Sequence, residues 1–172
     1  WSRYDPSIYA NYYVFIENPE PFWTMHNELS EELDEAEPNA AHEAIAELEK
    51  MGKIRSVITQ NIDMLHQRAG SGCYNDVPIY ELHGSYAKLE CIKCGTEYEL
   101  DEINTNKKPY PVCIKCSGYI KPKVILFGET LPIGVLDSAL NSVREADCLI
   151  MVGSSLLISP ANSVPPTAKH HG

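Results

Sequence analysis

Four cysteines in two matching pairs carry the clearest chemistry in this sequence. Two residues separate Cys91 from Cys94, eighteen residues follow, and Cys113 and Cys116 repeat the first spacing. Two intervening residues allow a tight turn to direct both sulfur atoms at one point, and four thiolates arranged in this way are typical ligands of a structural zinc ion. Two disulfides or four unrelated thiols are the alternative. Because four cysteines would leave no open coordination position, the spacing predicts structural Zn²⁺ and places any catalysis elsewhere.

The composition restricts the classes of partner. Fourteen Lys and Arg residues against twenty-four Asp and Glu residues give a formal net charge of −10 over 172 residues. This balance disfavours direct nucleic-acid binding, which needs a basic surface, and is compatible with a cationic peptide. No apolar run is long enough for a membrane helix and no stretch resembles a signal peptide, so we expect no membrane partner. Thiolate ligands favour a reducing intracellular compartment, and we expect the cytoplasm.

The elements that must position this chemistry follow an alternating pattern. Residues 39–51 place apolar side chains at helical spacing, with Asn39 able to cap the start and Gly52 able to close the end. Further helices are expected at 64–69 and 132–145, and buried strands at 53–59, 79–82, 124–127 and 148–152. Alternation of strands and helices predicts an α/β fold, with a Rossmann-like parallel sheet and helices on both faces.

The first 37 residues are rich in tyrosine, phenylalanine and tryptophan and are interrupted by three prolines. We expect short helices here, with the aromatic side chains packed in a core. An aromatic wall of a ligand cleft is the alternative.

Three predicted strands end in polar or glycine-rich turns, at 60–63, 128–129 and 153–155. In open α/β sheets, ligands bind at the carboxyl ends of the strands. We therefore expect the three turns to form a binding cleft at one sheet edge. Each turn by itself could equally be a helix cap or an ordinary loop.

Taken together and in this order around a four-cysteine insert, the motifs resemble the sirtuin family of NAD-dependent protein-lysine deacylases. The matching stretches are T-Q-N-I-D-M-L-H-Q-R-A-G at 59–70, E-L-H-G-S at 81–85, K-P-K-V-I-L-F-G-E at 121–129 and V-G-S-S-L at 152–156. The resemblance extends over essentially the whole sequence. It implies an incomplete Rossmann-like NAD-binding domain formed by residues 1–84 and 120–172, with a small zinc-binding domain at 85–119.

The resemblance also implies individual roles. His83 would be the catalytic general base, a task that suits imidazole because histidine exchanges protons near neutral pH. Gln60, Asn61 and Asp63 would hold the nicotinamide and ribose of NAD, since an amide offers both a donor and an acceptor to a carboxamide. Two further groups are implied, one against the adenosine ribose and phosphates (Gly153, Ser154, Ser155) and one that receives the peptide (Ile125, Phe127, Gly128, Glu129). In the second group Phe127 would wall the acyl-lysine tunnel, and the extended backbone could pair with an incoming strand.

The implied activity is removal of acetyl or other acyl groups from protein lysines, with NAD as cosubstrate and nicotinamide and O-acyl-ADP-ribose as products. The partner would be an acylated lysine in a peptide or protein. Mono-ADP-ribosyl transfer in the same cleft is one alternative. A non-catalytic zinc-ribbon binding module is another, disfavoured by the acidic composition and by His83 beside three polar strand ends.

Two parts of the family pattern are not found between Trp1 and Gly172. One is the glycine-rich opening that would cradle the NAD pyrophosphate, and the other is the strand that would follow the last residue. The sequence opens without a methionine, so we expect it to be a piece of a longer protein. Since a dinucleotide is normally anchored where a glycine-rich turn meets a helix N-terminus, we expect these 172 residues alone to be nearly inactive.

Overall fold

The structure is a computed structural model that describes residues 3–104 and 109–171. The chain divides into two compact units. The unit that carries the four cysteines, called here the cysteine unit, is formed by Trp1–Ala36, Ile62–Met64 and Gly84–Thr130. The other, called the parallel-sheet unit, is formed by Glu37–Asn61, Leu65–His83 and Leu131–Gly172. The predicted division into an NAD-binding domain and an 85–119 insert stays a prediction.

The helices and strands of the described residues alternate only in part. The helices are α1 (Pro6–Tyr9), α2 (Tyr12–Glu17), α3 (Glu20–Glu35), α4 (Ala40–Lys50), α5 (Leu65–Arg68), α6 (Val135–Arg144) and α7 (Val164–His171). The strands are β1 (Val57–Thr59), β2 (Ile79–Glu81), β3 (Gly84–Cys91), β4 (Glu97–Glu99) and β5 (Ile120–Val124). Short 3₁₀ turns lie at Leu100–Glu102 and Ala161–Ser163. Of these helices, none is long and apolar enough to cross a membrane.

The aromatic N-terminal segment forms helices that pack in the core of the cysteine unit. Asn11 caps α2 by accepting a hydrogen bond from the Tyr13 amide at 2.9 Å. Phe15 and Trp23 are buried, and the Trp23 indole N–H donates to the Ile120 carbonyl at 3.1 Å. The core-packing interpretation is therefore confirmed for Phe15 and Trp23, whereas Tyr13 is 62% exposed and Trp1 lies outside the described residues. Helix α3, at 16 residues, is longer than expected.

The sheet of the cysteine unit is antiparallel, with the strand order β4-β3-β5. Leu89 in the central strand lies opposite Tyr98 on one side and Pro122 on the other. Pro122 is tolerated because β5 is an edge strand, where a missing N–H is harmless. The prediction of a parallel strand at 124–127 was wrong, since the strand spans Ile120–Val124 and pairs with β3. The apolar pattern of residues 124–127 predicts a buried strand, but it does not predict which other strand will pair with it.

The parallel-sheet unit contains the expected helix over 39–51 and the expected parallel pair. The Asn39 side chain accepts from the Ala41 amide at 3.0 Å, and the His42 ring accepts from the Asn39 amide at 3.2 Å. His42 is thus a structural capping residue. Strands β1 and β2 pair in parallel, which confirms the predicted α/β class with a parallel sheet.

A second strand prediction, at 148–152, was also wrong. The segment has no strand assignment, and 70% of Ile150 and 65% of Val152 are exposed to solvent. A strand requires a neighbour for its backbone N–H and C=O groups. Among the described residues, no strand pairs with this segment, so its apolar residues do not form a buried strand.

Candidate functional site

The turn after β1 carries the first group of predicted site residues. Thr59 ends the strand, where its backbone carbonyl accepts from the Leu82 amide at 2.9 Å. The Thr59 hydroxyl oxygen accepts from the Asn61 amide at 3.0 Å and turns the chain away from the sheet. Gln60 and Asn61 therefore leave the carboxyl end of a parallel strand, as the sequence predicted. Asn61 is exposed.

His83 lies beside the same turn, just beyond β2. Its ring atom Nδ1 is 3.1 Å from the backbone carbonyl oxygen of Gln60. A carbonyl oxygen can only accept a hydrogen bond, so this contact requires the proton of a neutral imidazole to be on Nδ1. The lone pair of His83 is then on Nε2. This is the tautomer in which Nε2 can take a proton from a substrate.

The glycine–serine turn at 153–155 meets the same residues. The Gln60 side-chain amide donates to the Ser154 hydroxyl oxygen at 3.2 Å. That oxygen also accepts from the Leu156 amide at 3.2 Å. Residues from three separate motifs, Gln60, His83 and Ser154, are thus brought together within one unit. The turn is in place although the predicted strand before it is absent.

Gly84 fixes the chain immediately after His83. Its φ angle is +72°, and a Cβ atom added there would lie 2.0 Å from the Lys123 carbonyl oxygen. No side chain fits at that distance, so the first residue of β3 must be glycine for β3 and β5 to approach.

The predicted peptide-receiving residues lie in the cysteine unit, just after β5. The Phe127 amide donates to the Ala10 carbonyl at 2.8 Å, and its carbonyl accepts from the Tyr12 amide at 3.0 Å. The backbone of Phe127 is therefore already paired with the N-terminal segment, and the predicted pairing with an incoming strand is not open at this residue. Its side chain is 47% exposed. Sequence reasoning missed residues 10–12, because nothing local links them to Phe127.

Glu129 points its carboxylate into the protein. Oε2 accepts from the Leu126 amide at 2.7 Å, and Oε1 is 3.4 Å from the Lys121 ammonium nitrogen. Its side chain is only 16% exposed. Ile125 is partly buried beside this turn, and Gly128 is exposed. Asp63 is partly buried in Ile62–Met64, which also belongs to the cysteine unit.

The four cysteines form a cluster with the geometry of a zinc site. Their Sγ atoms all lie within 4.8 Å of one another. Cys91 and Cys116 are separated by 3.5 Å, and Cys94 and Cys113 by 3.6 Å. A tetrahedron with Zn–S bonds of about 2.3 Å has edges of about 3.8 Å, whereas a disulfide bond is about 2.05 Å long. The spacing fits a structural Zn²⁺ and excludes the disulfide alternative.

Tyr98 supports this cluster and was not found by sequence reasoning. Its hydroxyl lies 3.0 Å from Cys113 Sγ, and both residues are buried. The hydrogen bond to Tyr98 lowers the pKa of Cys113 to about 6, and the same bond raises the pKa of Tyr98 to about 12. A thiolate is the form that binds a metal, so Tyr98 favours the ligand state of Cys113.

Comparison with known proteins identifies the family. The Sir2 family profile matches residues 3–160. The chain belongs to the Sir2 family. NAD-dependent protein deacylase 2 of Archaeoglobus fulgidus is 47% identical over 175 residues, which cover 100% of this chain and 67% of that protein. The sirtuin resemblance predicted from the sequence motifs is confirmed.

Solved structures of other Sir2 proteins have the same fold. A mutant Sir2 homologue in complex with ADP-ribose gives a TM-score of 0.90 at 40% identity, over 100% of this chain and 67% of that one. A Sir2 protein bound to a propionylated peptide gives 0.89 at 34% identity, over 98% and 70%. This Sir2-family chain thus spans about two thirds of the length of these relatives.

The donor set of this Sir2-family chain suits NAD. Gln60 and Asn61 each offer an amide with a donor and an acceptor, and Ser154 and Ser155 offer hydroxyls. Gly153 has a φ of +65° and open space at its Cβ position, so a ligand can approach the backbone there. These groups match the carboxamide, ribose hydroxyls and phosphates of a dinucleotide.

Proposed function

We propose that this chain removes acetyl or other acyl groups from lysine side chains of proteins with NAD as cosubstrate. Together with one water molecule, the reactants give nicotinamide, O-acyl-ADP-ribose and the free lysine amine. The observation that carries the proposal is the contact between His83 Nδ1 and the Gln60 carbonyl, which leaves Nε2 as a base next to the Gln60–Ser154 pair. The names of the curated relatives, which are NAD-dependent protein deacylases and deacetylases, support it.

Each predicted site residue has a defined task in this reaction. NAD, when bound, supplies the ribose that receives the acyl group and the nicotinamide that leaves. His83 accepts the proton of a ribose hydroxyl at Nε2 and holds its own proton at Nδ1 against the Gln60 carbonyl. Gln60, Asn61 and Asp63 orient the nicotinamide end. Gly153, Ser154 and Ser155 orient the adenosine ribose and phosphates.

The substrate side of the proposal rests on residues 125–129. We assign the acyl-lysine side chain to the exposed ring of Phe127 and the peptide backbone to the turn at Gly128 and Glu129. A related Sir2 protein binds a propionylated peptide, which supports an acyl-lysine ligand.

The proposal extends to the setting of the reaction. It includes no membrane or nucleic-acid partner, since the formal net charge of −10 favours cationic peptides. We place the reaction in the reducing environment of the cytoplasm, where thiolate ligands persist.

The test is a reaction of the full-length protein with an acetyl-lysine peptide and NAD. Deacylation predicts peptide-dependent release of nicotinamide, together with a peptide whose mass has decreased by one acetyl group. A peptide that instead gains the mass of ADP-ribose would establish the alternative transferase activity. Absence of nicotinamide release, with folded protein and several acyl chains tried, would contradict both.

A further inference from the structure

We propose that Lys121 is a positioning residue that holds the substrate-binding turn in shape. The turn is defined as residues 126–129, and Lys121 would act on the peptide through Glu129 without touching it. The inference rests on the proposed function, since it assumes that this turn receives the acyl-lysine peptide.

Lys121 is an unusual lysine because its side chain is only 2% exposed. Its ammonium group donates to the Val124 carbonyl at 2.8 Å and lies 3.3 Å from the Pro122 carbonyl. Two carboxylates complete the surroundings, Glu90 at 3.3 Å and Glu129 at 3.4 Å. A buried ammonium group is costly unless it is paired and hydrogen-bonded. This group is both, so its position is tightly defined.

The contacts of Lys121 lead directly into the turn. Glu129 accepts from the Leu126 amide through Oε2 at 2.7 Å, and its own amide donates to the Leu126 carbonyl at 3.0 Å. These two bonds close a loop around Phe127 and Gly128. Lys121 binds the other carboxylate oxygen of Glu129 and, at the same time, the last carbonyl of β5 at Val124. One ammonium group therefore ties the end of the strand to the far side of the turn.

Removal of the ammonium group would release this arrangement. Glu90 and Glu129 would then face each other without the cation that neutralises them, and like charges in a partly buried setting repel. The Glu129 side chain would then rotate so that its carboxylate lies in water, because an unpaired buried carboxylate has a much higher free energy. The Leu126 amide would then lose its acceptor. The turn would sample more conformations, and peptide binding would suffer from the cost of reordering it.

A purely structural role for Lys121 would give a different pattern. It would lower stability and would affect the use of peptide and of NAD alike. A positioning role affects the peptide selectively, because none of the predicted NAD residues contacts Lys121 in the described chain. Lys123 provides the matched control. It lies two residues further along the same strand, but it is half-exposed and pairs with Glu97 at 2.6 Å on the surface.

The experiment compares Lys121→Met, Lys123→Met and the conservative variant Lys121→Arg in the full-length protein. For Lys121→Met we expect KM for an acetyl-lysine peptide to rise about 10- to 100-fold, the usual consequence of losing a hydrogen bond to a charged group. KM for NAD should change by less than about twofold, and Lys123→Met should resemble the wild type. Lys121→Arg should recover most of the loss, because it keeps a positively charged donor beside Glu129.

A second measurement separates this inference from the proposed function. Amide hydrogen exchange at Leu126 should be faster in Lys121→Met than in the wild type or in Lys123→Met, whether or not the protein turns over a peptide. If the wild type releases no nicotinamide, the proposed function fails and the exchange result still tests the turn. Unchanged exchange at Leu126, or equal increases in KM for peptide and NAD, would overturn the role of Lys121. Should Lys121→Met fail to fold, Lys121→Gln, which also removes the charge but keeps a hydrogen-bond donor, provides both readouts.

Discussion

A backbone atom determines the tautomer of His83. The Gln60 carbonyl, 3.1 Å from Nδ1, fixes which ring nitrogen carries the proton. Gln60 is itself oriented by its side-chain bond to Ser154 at 3.2 Å. The base therefore depends on the path of the chain after β1 as much as on its own side chain.

At the residue scale the first prediction concerns this base. His83→Ala should leave the fold intact and lower kcat by about 10²–10⁴, the usual contribution of a positioned general base. The measurement is nicotinamide release at saturating NAD and acyl peptide. His170→Ala is the control, since that histidine is exposed near the end of α7 and should be dispensable. Wild-type turnover in His83→Ala would show that another group is the base.

The second residue-scale prediction concerns His26, which packs against Trp23 with ring centroids 4.8 Å apart. Burial lowers the pKa of His26 below its ordinary value of about 6.5. Between the lowered pKa of the folded state and about pH 6.5, the unfolded state binds more protons at His26 than the folded state does. The free energy of unfolding therefore rises with pH across this interval and is lost as the pH falls through it. Urea unfolding at about pH 7.5 and about pH 5.5 should therefore show a smaller acid loss of unfolding free energy in His26→Leu than in the wild type.

The control for His26 is His171→Ala, at an exposed position that should keep the wild-type acid dependence. An identical acid dependence in His26→Leu and the wild type would mean that other groups account for it.

At the element scale the approach of β3 to β5 depends on the absence of one atom. An alanine Cβ at position 84 would lie 2.0 Å from the Lys123 carbonyl oxygen, so the two strands would have to separate. We expect Gly84→Ala to cost more than about 4 kcal/mol of unfolding free energy, or to prevent folding. Gly52→Ala is the matched control. It has a similar φ of +66° but nothing within 4 Å of the added atom, so only backbone strain of about 1–2 kcal/mol is expected.

Urea denaturation of both glycine variants measures the difference. Equal losses would indicate that backbone conformation alone, and not the close approach of the strands, requires Gly84.

The second prediction at the element scale concerns the zinc cluster, which joins the turn before β4 to the turn before β5. We expect one zinc ion per chain by elemental analysis, and Cys113→Ser should lose zinc readily to a chelator. Residues 95–112 should then become sensitive to limited proteolysis, since metal binding is coupled to local folding.

Cys73→Ser is the control for the cluster, because Cys73 is an exposed thiol outside it. Full zinc retention in Cys113→Ser in the presence of chelator, or wild-type protein without zinc, would contradict the assignment.

At the scale of the whole molecule the dominant property is its charge. A formal net charge of −10 should attract cationic peptides and repel anionic ones, and salt should screen both effects. KM for an acetyl-lysine peptide flanked by lysines should therefore rise several-fold between about 0.05 M and about 0.5 M NaCl. KM for the same peptide flanked by glutamates should fall or stay constant. Equal salt dependence of KM for both peptides would show that the net charge of the protein does not affect peptide binding.

Features that depend on neighbours in the chain could be predicted from the sequence. The zinc cluster follows from two short spacings, and helix α4 follows from the cap at Asn39, its apolar period and Gly52. The family followed from several motifs in a fixed order, and the profile match over residues 3–160 confirms it. Each motif that contributes to these signals is complete within a few residues, so it can be read without knowing the fold.

Features that depend on the choice of a distant partner could not be predicted. The strand expected at 124–127 formed at Ile120–Val124 because β3 was available to pair with it, and the segment 148–152 formed no strand because none of the described strands pairs with it. An apolar run has the same sequence pattern in both cases. Hydrogen-bond partners between strands are selected only when the chain folds.

Contacts with distant residues also determine the geometry of the candidate site. The sequence identified His83 and Glu129 by their motifs, but not the carbonyl that fixes the His83 tautomer or the buried Lys121 that holds the Glu129 carboxylate. Tyr98 beside Cys113 was missed as well. Residue types and spacing determined which chemistry is present. The tertiary structure decided how those groups are protonated, paired and oriented, because burial and hydrogen bonding depend on atoms that are distant in the chain.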